Sequence, residues 1–193
     1  MIRLSPLLLL SMLALAGCGS RSSPDLYVLR APDDLTFATC KTPHTALVID
    51  RPSTRDEYDS KRIPVMLGKN HLSYYSGASW ASPFPDQLRD FLIDAYTQSD
   101  MFSSVDEQDD SDTSSYSLLI TIHEATVTQL DAPVVKLRLS GTLRQSESGR
   151  VISRFNIKES VPAAENNMAE IVDAYDEAAA NAAQKIMRKR HCR

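Results

Sequence analysis

The chain has 193 residues, 42% of them hydrophobic and 24% charged, with a formal net charge of −4. That length holds one domain of ordinary size. The mildly acidic balance argues against a nucleic-acid binder, which would neutralise phosphates with an excess of basic side chains.

Arg3 precedes two short apolar runs, Leu7 to Leu10 and Met12 to Ala16, which together are too short to stay in a bilayer comfortably. They end in Leu15-Ala16-Gly17-Cys18. Residues 1–17 thus resemble a bacterial lipoprotein signal peptide, in which the Cys18 thiol becomes the thioether link to a diacylglycerol. Small residues before the cysteine let the processing peptidase approach the backbone. The alternative is a plain secretory signal with an incidental cysteine. Gly19, not Asp, follows the cysteine. By the same resemblance this implies the outer membrane, with the chain facing the periplasm. Residues 18–25 are small and polar and read as a lipidated tether, which leaves 26–193 as a single periplasmic domain. Cys40 and Cys192 remain. In an oxidising compartment such a pair is either bridged or left as two free thiols; a bridge would close a very long loop, for at most about 5 kcal/mol.

Leu26 to Leu29 is a brief extended run ended by Pro32, and the segment from Asp33 to Pro43 is irregular. Thr45-Ala46-Leu47-Val48-Ile49-Asp50 is a near-continuous apolar β run ended by Pro52, the pattern of an inner strand. After a charged loop from Ser53 to Lys61, Ile63, Val65 and Leu67 alternate with Arg62, Pro64 and Met66 as a half-buried strand. Gly68-Lys69-Asn70 supplies a turn, and a second strand runs from His71 to Tyr75. The small residues Ser76 to Ser79 predict a tight bend that brings Trp80, the single tryptophan, against a neighbour. Pro83, Pro85 and Asp86 open a helix, with Leu88, Phe91, Leu92, Ala95 and Tyr96 on its buried face. Met101 and Phe102 then fold back on the core.

The run Asp106-Glu107-Gln108-Asp109-Asp110-Ser111-Asp112 is rich in carboxylates but lacks the glycine and terminal glutamate of a calcium loop, so it reads as a solvated loop. Tyr116, Leu118, Ile120 and Ile122 form one face of the next strand. His123-Glu124 has no second histidine four residues on, so no zinc-protease pattern exists. Two further strands follow. In the first, Val135, Leu137, Leu139, Gly141 and Leu143 oppose Lys136, Arg138 and Arg144; in the second, Val151, Phe155 and Ile157 oppose Arg150, Arg154 and Lys158. Six basic side chains therefore share one sheet face. They form either a solvated surface or a contact for an acidic partner, including another copy's Asp106–Asp112 loop. After Pro162, Asn166 or Asn167 caps a last helix with Ile171, Tyr175, Ala178, Ala182 and Ile186 at helical spacing. Lys185, Arg188, Lys189 and Arg190 near its end complement the dipole, or touch anionic headgroups. No nucleotide loop or Gly-x-Ser-x-Gly elbow is present, so catalysis has no motif to rest on and no cofactor is implied. The fold expected is α+β: a mostly antiparallel sheet with two helices on one face, strand-rich at first, then helix, three strands and helix.

Particular residues carry a resemblance beyond this pattern. They are the lipobox at Cys18, Tyr27-Val28-Leu29, Arg62-Ile63, Leu72-Ser73-Tyr74-Tyr75 running into Trp80-Ala81, Pro85 with Leu88, and Ser153-Arg154-Phe155. Together they make the chain similar to the ABC-type transport auxiliary lipoprotein family, which includes the lipoprotein of the paraquat-inducible system. The likeness runs from about Leu26 to Met187 and is most specific from Tyr74 to Leu88. It implies a non-enzymatic subunit beside an MCE-type ABC system (MCE-domain protein, permease and ATPase) that moves lipids or hydrophobic compounds. Such a subunit docks a periplasmic channel to the outer membrane, as a homo-oligomer in one reading. The candidate partner contacts, read from the residues and not from the resemblance, are Tyr74, Tyr75 and Trp80 at the aromatic corner and Arg138, Arg144 and Arg154 on the basic sheet face. Similar sequences often carry Arg before the tryptophan, where this chain has Ser79. The competing expectation is a stand-alone binder of a lipid or small molecule, with Tyr74, Tyr75, Trp80 and Phe84 as its pocket.

Overall fold

The computed structural model describes residues 23–37, 45–107, 115–128 and 132–188. Its elements in chain order are β1 (Asp25–Tyr27), β2 (Ala46–Ile49), β3 (Arg62–Leu67), β4 (His71–Trp80), α1 (Phe84–Gln98), β5 (Val105–Asp106), β6 (Ser115–Thr128), β7 (Val134–Gln145), β8 (Val151–Pro162) and α2 (Met168–Arg188). The short β5 comes in addition to the three strands expected between the helices.

All the strands are organised on β6. One of its edges pairs antiparallel with β7 along almost the whole strand, and β7 pairs likewise with β8. The other edge is shared. β2 runs parallel to its start, from Ala46 opposite Ser115 to Ile49 opposite Leu118, and β3 runs parallel to its end, with Val65 opposite Val127. Between the two, Ser53 bridges the gap. Its N–H donates to the Ile120 carbonyl at 2.9 Å, and its own carbonyl accepts from the Ile122 N–H at 2.8 Å. β5 lies outside β2, while β4 and then β1 lie outside β3.

The expectation of a mostly antiparallel sheet is therefore corrected. Four of the seven strand pairings are parallel, β1–β4, β2–β5, β2–β6 and β3–β6, and the sheet is mixed and curled. Only the three hairpin ladders run antiparallel. A hairpin announces itself through two alternating runs and a turn, whereas a parallel pair joins distant segments through a long crossover.

Both helices cover the same face of the sheet and share one core with it. β2, flanked on both edges, is buried at all four residues. On α1, Leu88, Phe91, Leu92, Ala95 and Tyr96 are buried, and Pro83 stands at the N-cap. On α2 the Asn167 side-chain oxygen accepts the Glu170 N–H at 3.0 Å, an N-cap bond. Its run of buried alanines, Ala178, Ala179, Ala180, Ala182 and Ala183, lets neighbouring backbone come close. The Tyr96 hydroxyl accordingly reaches from α1 to the Ala183 carbonyl at 3.1 Å. The N-terminal arm then crosses the helices. Its Leu29 N–H donates to Gln87 Oε1 at 2.9 Å, its Arg30 N–H donates to Asp176 Oδ1 at 3.0 Å, and its Phe37 ring packs on Tyr96.

Three local readings change. Ser76 to Ser79 do not turn the chain away; β4 continues through them to Trp80 as a wide irregularity, with Gly77 at φ 77°. There Arg62 opposes Ser79 while Pro64 opposes Tyr74, so β4 carries extra residues against β3. In β6, His123 is a bulge between Ile122 and Glu124, which lets Ala125 and Val127 continue the core face. A second register shift separates Leu143–Ser153 from Arg144–Val151. Val151 therefore stands exposed, away from the core residues Phe155 and Ile157.

Candidate partner-contact surface

The face of the sheet opposite the helices carries the candidate contact residues, and register fixes which of them are neighbours. Arg138 on β7 lies opposite Lys158 on β8 and opposite Glu124 on β6, and Lys136 lies one alternate position away. Arg154 opposes Thr142, and Arg144 opposes Val151. The basic set is thus two groups. Arg138 with Lys136 and Lys158 sits toward one end; Arg144 and Arg154 sit toward the other. Six residues along one strand separate Arg138 from Arg144, about 20 Å. Arg138 is held by Glu124, Nε to Oε2 at 3.7 Å, and this Nε is buried without a hydrogen-bond partner. Lys136, Arg144, Arg154 and Lys158 are exposed. The bulged His123 faces the same side, its Nε2 2.6 Å from the Ser140 hydroxyl.

The aromatic candidates do not form one surface. Trp80 is 0% exposed. Its ring meets Phe84 at 5.7 Å and Tyr175 of α2 edge-on at 5.2 Å, and Phe84 meets Tyr175 at 5.7 Å. Trp80 and Phe84 fill core and do not line an opening. Tyr75 is half-buried against that core, and burial raises its hydroxyl above the usual phenol range. Tyr74 lies on the other side of the sheet, where the Arg62 guanidinium stacks 3.7 Å over its ring. The Tyr75 and Tyr175 hydroxyls and the Trp80 indole N–H are all buried without a hydrogen-bond partner. The alternation of α2 marked Tyr175 as buried, but nothing local linked it to Trp80.

A groove of about 580 Å³ opens elsewhere, between the N-terminal arm and the two helices, lined by Val28, Arg30, Pro32, Asp33, Asp94, Gln98 and Asp176 among others. Burial pushes the Asp176 carboxyl up to about 6, against the Arg30 backbone N–H that favours its anion. At the loop leading into β3, Arg51 grips Asp59 at 2.6 Å and Asp86 at 2.7 Å, which holds the Asp59 carboxyl below its ordinary range. This pair ties the loop to the first turn of α1.

Lys185 and Arg188 stand in the last turn of α2 as expected; Lys185 also pairs with Glu159 of β8, while Arg188 stays exposed. Cys18, Cys40 and Cys192, with Lys189, Arg190 and residues 108–112, lie outside the described residues. Among the described residues no group of His, Cys, Asp and Glu could hold a metal ion, and no helix is long and apolar enough to cross a membrane.

A family model described as the ABC-type transport auxiliary lipoprotein component matches residues 27–187. Among solved structures, protein XCC0632 from Xanthomonas campestris, of the DUF330 family, superposes with a TM-score of 0.72 at 22% identity, over 84% of this chain and 92% of that one. An uncharacterised protein superposes with a TM-score of 0.68 at 15% identity, over 86% of this chain and 98% of that one. At such identities these likenesses establish the fold alone. No curated protein matches the sequence.

Proposed function

The chain belongs to the ABC-type transport auxiliary lipoprotein component family, a family of transport lipoproteins and not of enzymes, and from that premise we propose that it serves an MCE-type ABC system for lipids or hydrophobic compounds. In this reading Cys18 carries the lipid that anchors the chain to the outer membrane. Residues 18–25 are the tether, and the folded body docks the periplasmic channel of the MCE-domain protein beside its permease and ATPase. The observation that carries the proposal is the family match over 27–187, directly behind a lipobox ending at Cys18.

The contact chemistry follows from the exposed sheet face. Lys136, Arg138 and Lys158 toward one end, and Arg144 and Arg154 toward the other, are two groups of like charge that repel within each group unless an acidic neighbour, partner or salt screens them; Glu124 already meets Arg138. An acidic surface on the channel protein, or on another copy of this chain, would supply that screening. Tyr74 belongs to the reachable part of the surface, whereas Trp80 supports it from the core.

The test is co-purification of the full lipidated chain with an MCE-domain protein of the same cell, in wild-type form and with Arg138→Glu and Arg144→Glu together. Salt-sensitive capture lost in the double variant, with an unchanged melting temperature, supports the reading. Undiminished capture rules this face out, and absence of any capture of the wild type rules out the channel role. Phospholipid bound by the isolated chain without a partner would favour a stand-alone lipid binder.

A further inference from the structure

The most exposed of the large apolar side chains among the described residues is Leu26, at 65%, in the middle of β1. Its neighbour Tyr27 turns toward the core, so Leu26 stands on the opposite side of the strand. Pairing shows which side. Leu26 opposes Ser79, and Ser79 opposes Arg62 on β3, so the three share the face of the sheet away from the helices. Arg62 in turn stacks on Tyr74. This corner of β1, β4 and β3 thus presents the exposed Leu26 beside a tyrosine and an arginine, with Lys61 exposed next to them and Asp25 as the one acidic neighbour on β1.

The place of this corner in the chain names its occupant. Leu26 follows Cys18 by eight residues, a span of at most about 29 Å even fully extended. An anchored chain cannot hold Leu26 farther than that from the bilayer. An exposed leucine beside an aromatic ring and two cations is also a composition that partitions into the headgroup boundary: the apolar group reaches the acyl edge, the ring sits at the interface, and the cations meet lipid phosphates.

We propose that the outer corner of β1, β4 and β3 rests on the phospholipid surface that holds the lipid anchor, with Leu26 entering the interface and Arg62 on Tyr74 meeting the headgroups. This contact orients the body on the membrane, which the anchor alone does not fix. It requires the anchor at Cys18 but not the channel partner.

The experiment uses the full lipidated chain in phosphatidylethanolamine–phosphatidylglycerol vesicles, with and without acyl-brominated lipid as a quencher. Wild type, with Trp80 buried as its single tryptophan, sets the background. Leu26→Trp is expected to add blue-shifted emission that brominated lipid quenches. Val151→Trp, at a position also exposed but on the far strand β8, is expected to add solvent-like, unquenched emission. A Leu26→Trp signal that is solvent-like and unquenched overturns the contact. Equal quenching at both positions overturns it too, since mere nearness would then suffice. A blue shift that brominated lipid leaves intact and that grows with protein density assigns the corner to a second copy instead. Failure of the wild type to float with the vesicles removes the anchor and the contact together, whereas floating without quenching removes the contact alone.

Discussion

Lys185 Nζ lies 2.7 Å from both carboxylate oxygens of Glu159, joining the last helix to the edge strand β8. Glu159 is 8% exposed, while the lysine keeps much of its side chain in water. The two partners are therefore not equivalent. Lys185→Ala strands a buried carboxylate and is expected to cost about 1–3 kcal/mol. Glu159→Gln leaves a lysine that can turn to solvent and should cost less. Urea unfolding of the two variants side by side checks the order.

The Trp80–Phe84–Tyr175 cluster separates packing from polar satisfaction. Trp80→Ala removes the largest fully buried side chain and is expected to lose about 3–5 kcal/mol. Tyr175→Phe deletes a buried hydroxyl that has no partner and should leave stability unchanged or raise it slightly. Thermal melts of both variants decide this; a large loss in Tyr175→Phe would mean that its hydroxyl is bonded.

Gly141 faces the core of β7, opposite Ile120 and Phe155. A Cβ there would run into the Leu119 carbonyl oxygen and come within 2.6 Å of the Phe155 ring. The conflict with backbone cannot be relieved by a rotamer change. Gly141→Ala is expected to cost about 1–3 kcal/mol and to loosen the β6–β7 ladder, read as faster amide exchange at Leu119 and Thr142.

Asp176 gives a pH dependence of unusual sign. With its folded pKa raised to about 6 and its unfolded value about 4, the folded chain keeps the proton where the unfolded chain has lost it. This group's contribution to stability therefore falls as pH rises from about 4 to about 6. Asp176→Asn should flatten that fall and stabilise the chain modestly at pH 7, since the group retains contact with water. Asp59, whose carboxyl Arg51 holds low, acts oppositely: its contribution is present near neutral pH and is lost on acidification. Urea titrations of Asp176→Asn and wild type at pH 4.5 and 7 test the contrast.

What the sequence showed follows from the range over which each signal acts. The buried face of α1, the inner strand β2 and the alternating faces of β7 are written in side chains two to four positions apart, and they stand where periodicity placed them. The parallel pairings of β2 and β3 with β6 join segments more than sixty residues apart, and no local pattern marks them. Bulges are similarly invisible. His123 and Ile152 each shift the phase of a strand, which is why Val151 was expected with Phe155 and lies apart from it. Glu159 was missed because a carboxylate on a core face looks like a break in the pattern until Lys185 is brought beside it by the fold. On the contact surface, alternation put Arg138, Arg144 and Arg154 on one face, but only the register shows the gap between the two basic groups.

The shared edge of β6 also sets the order in which the fold can be completed. β2 and β3 find their partner only once Ser115 to Thr128 has emerged, by which time β1 to β5 are already present. A chain stopped before Ser115 holds the β3–β4 hairpin and the single helix α1, and leaves its most apolar strand without its main neighbour. The long β6–β7–β8 meander, by contrast, is built from ladders between strands adjacent in sequence. The C-terminal meander is thus the part of the sheet that is complete in itself, and the earlier strands β2 and β3 depend on it for their pairing partner.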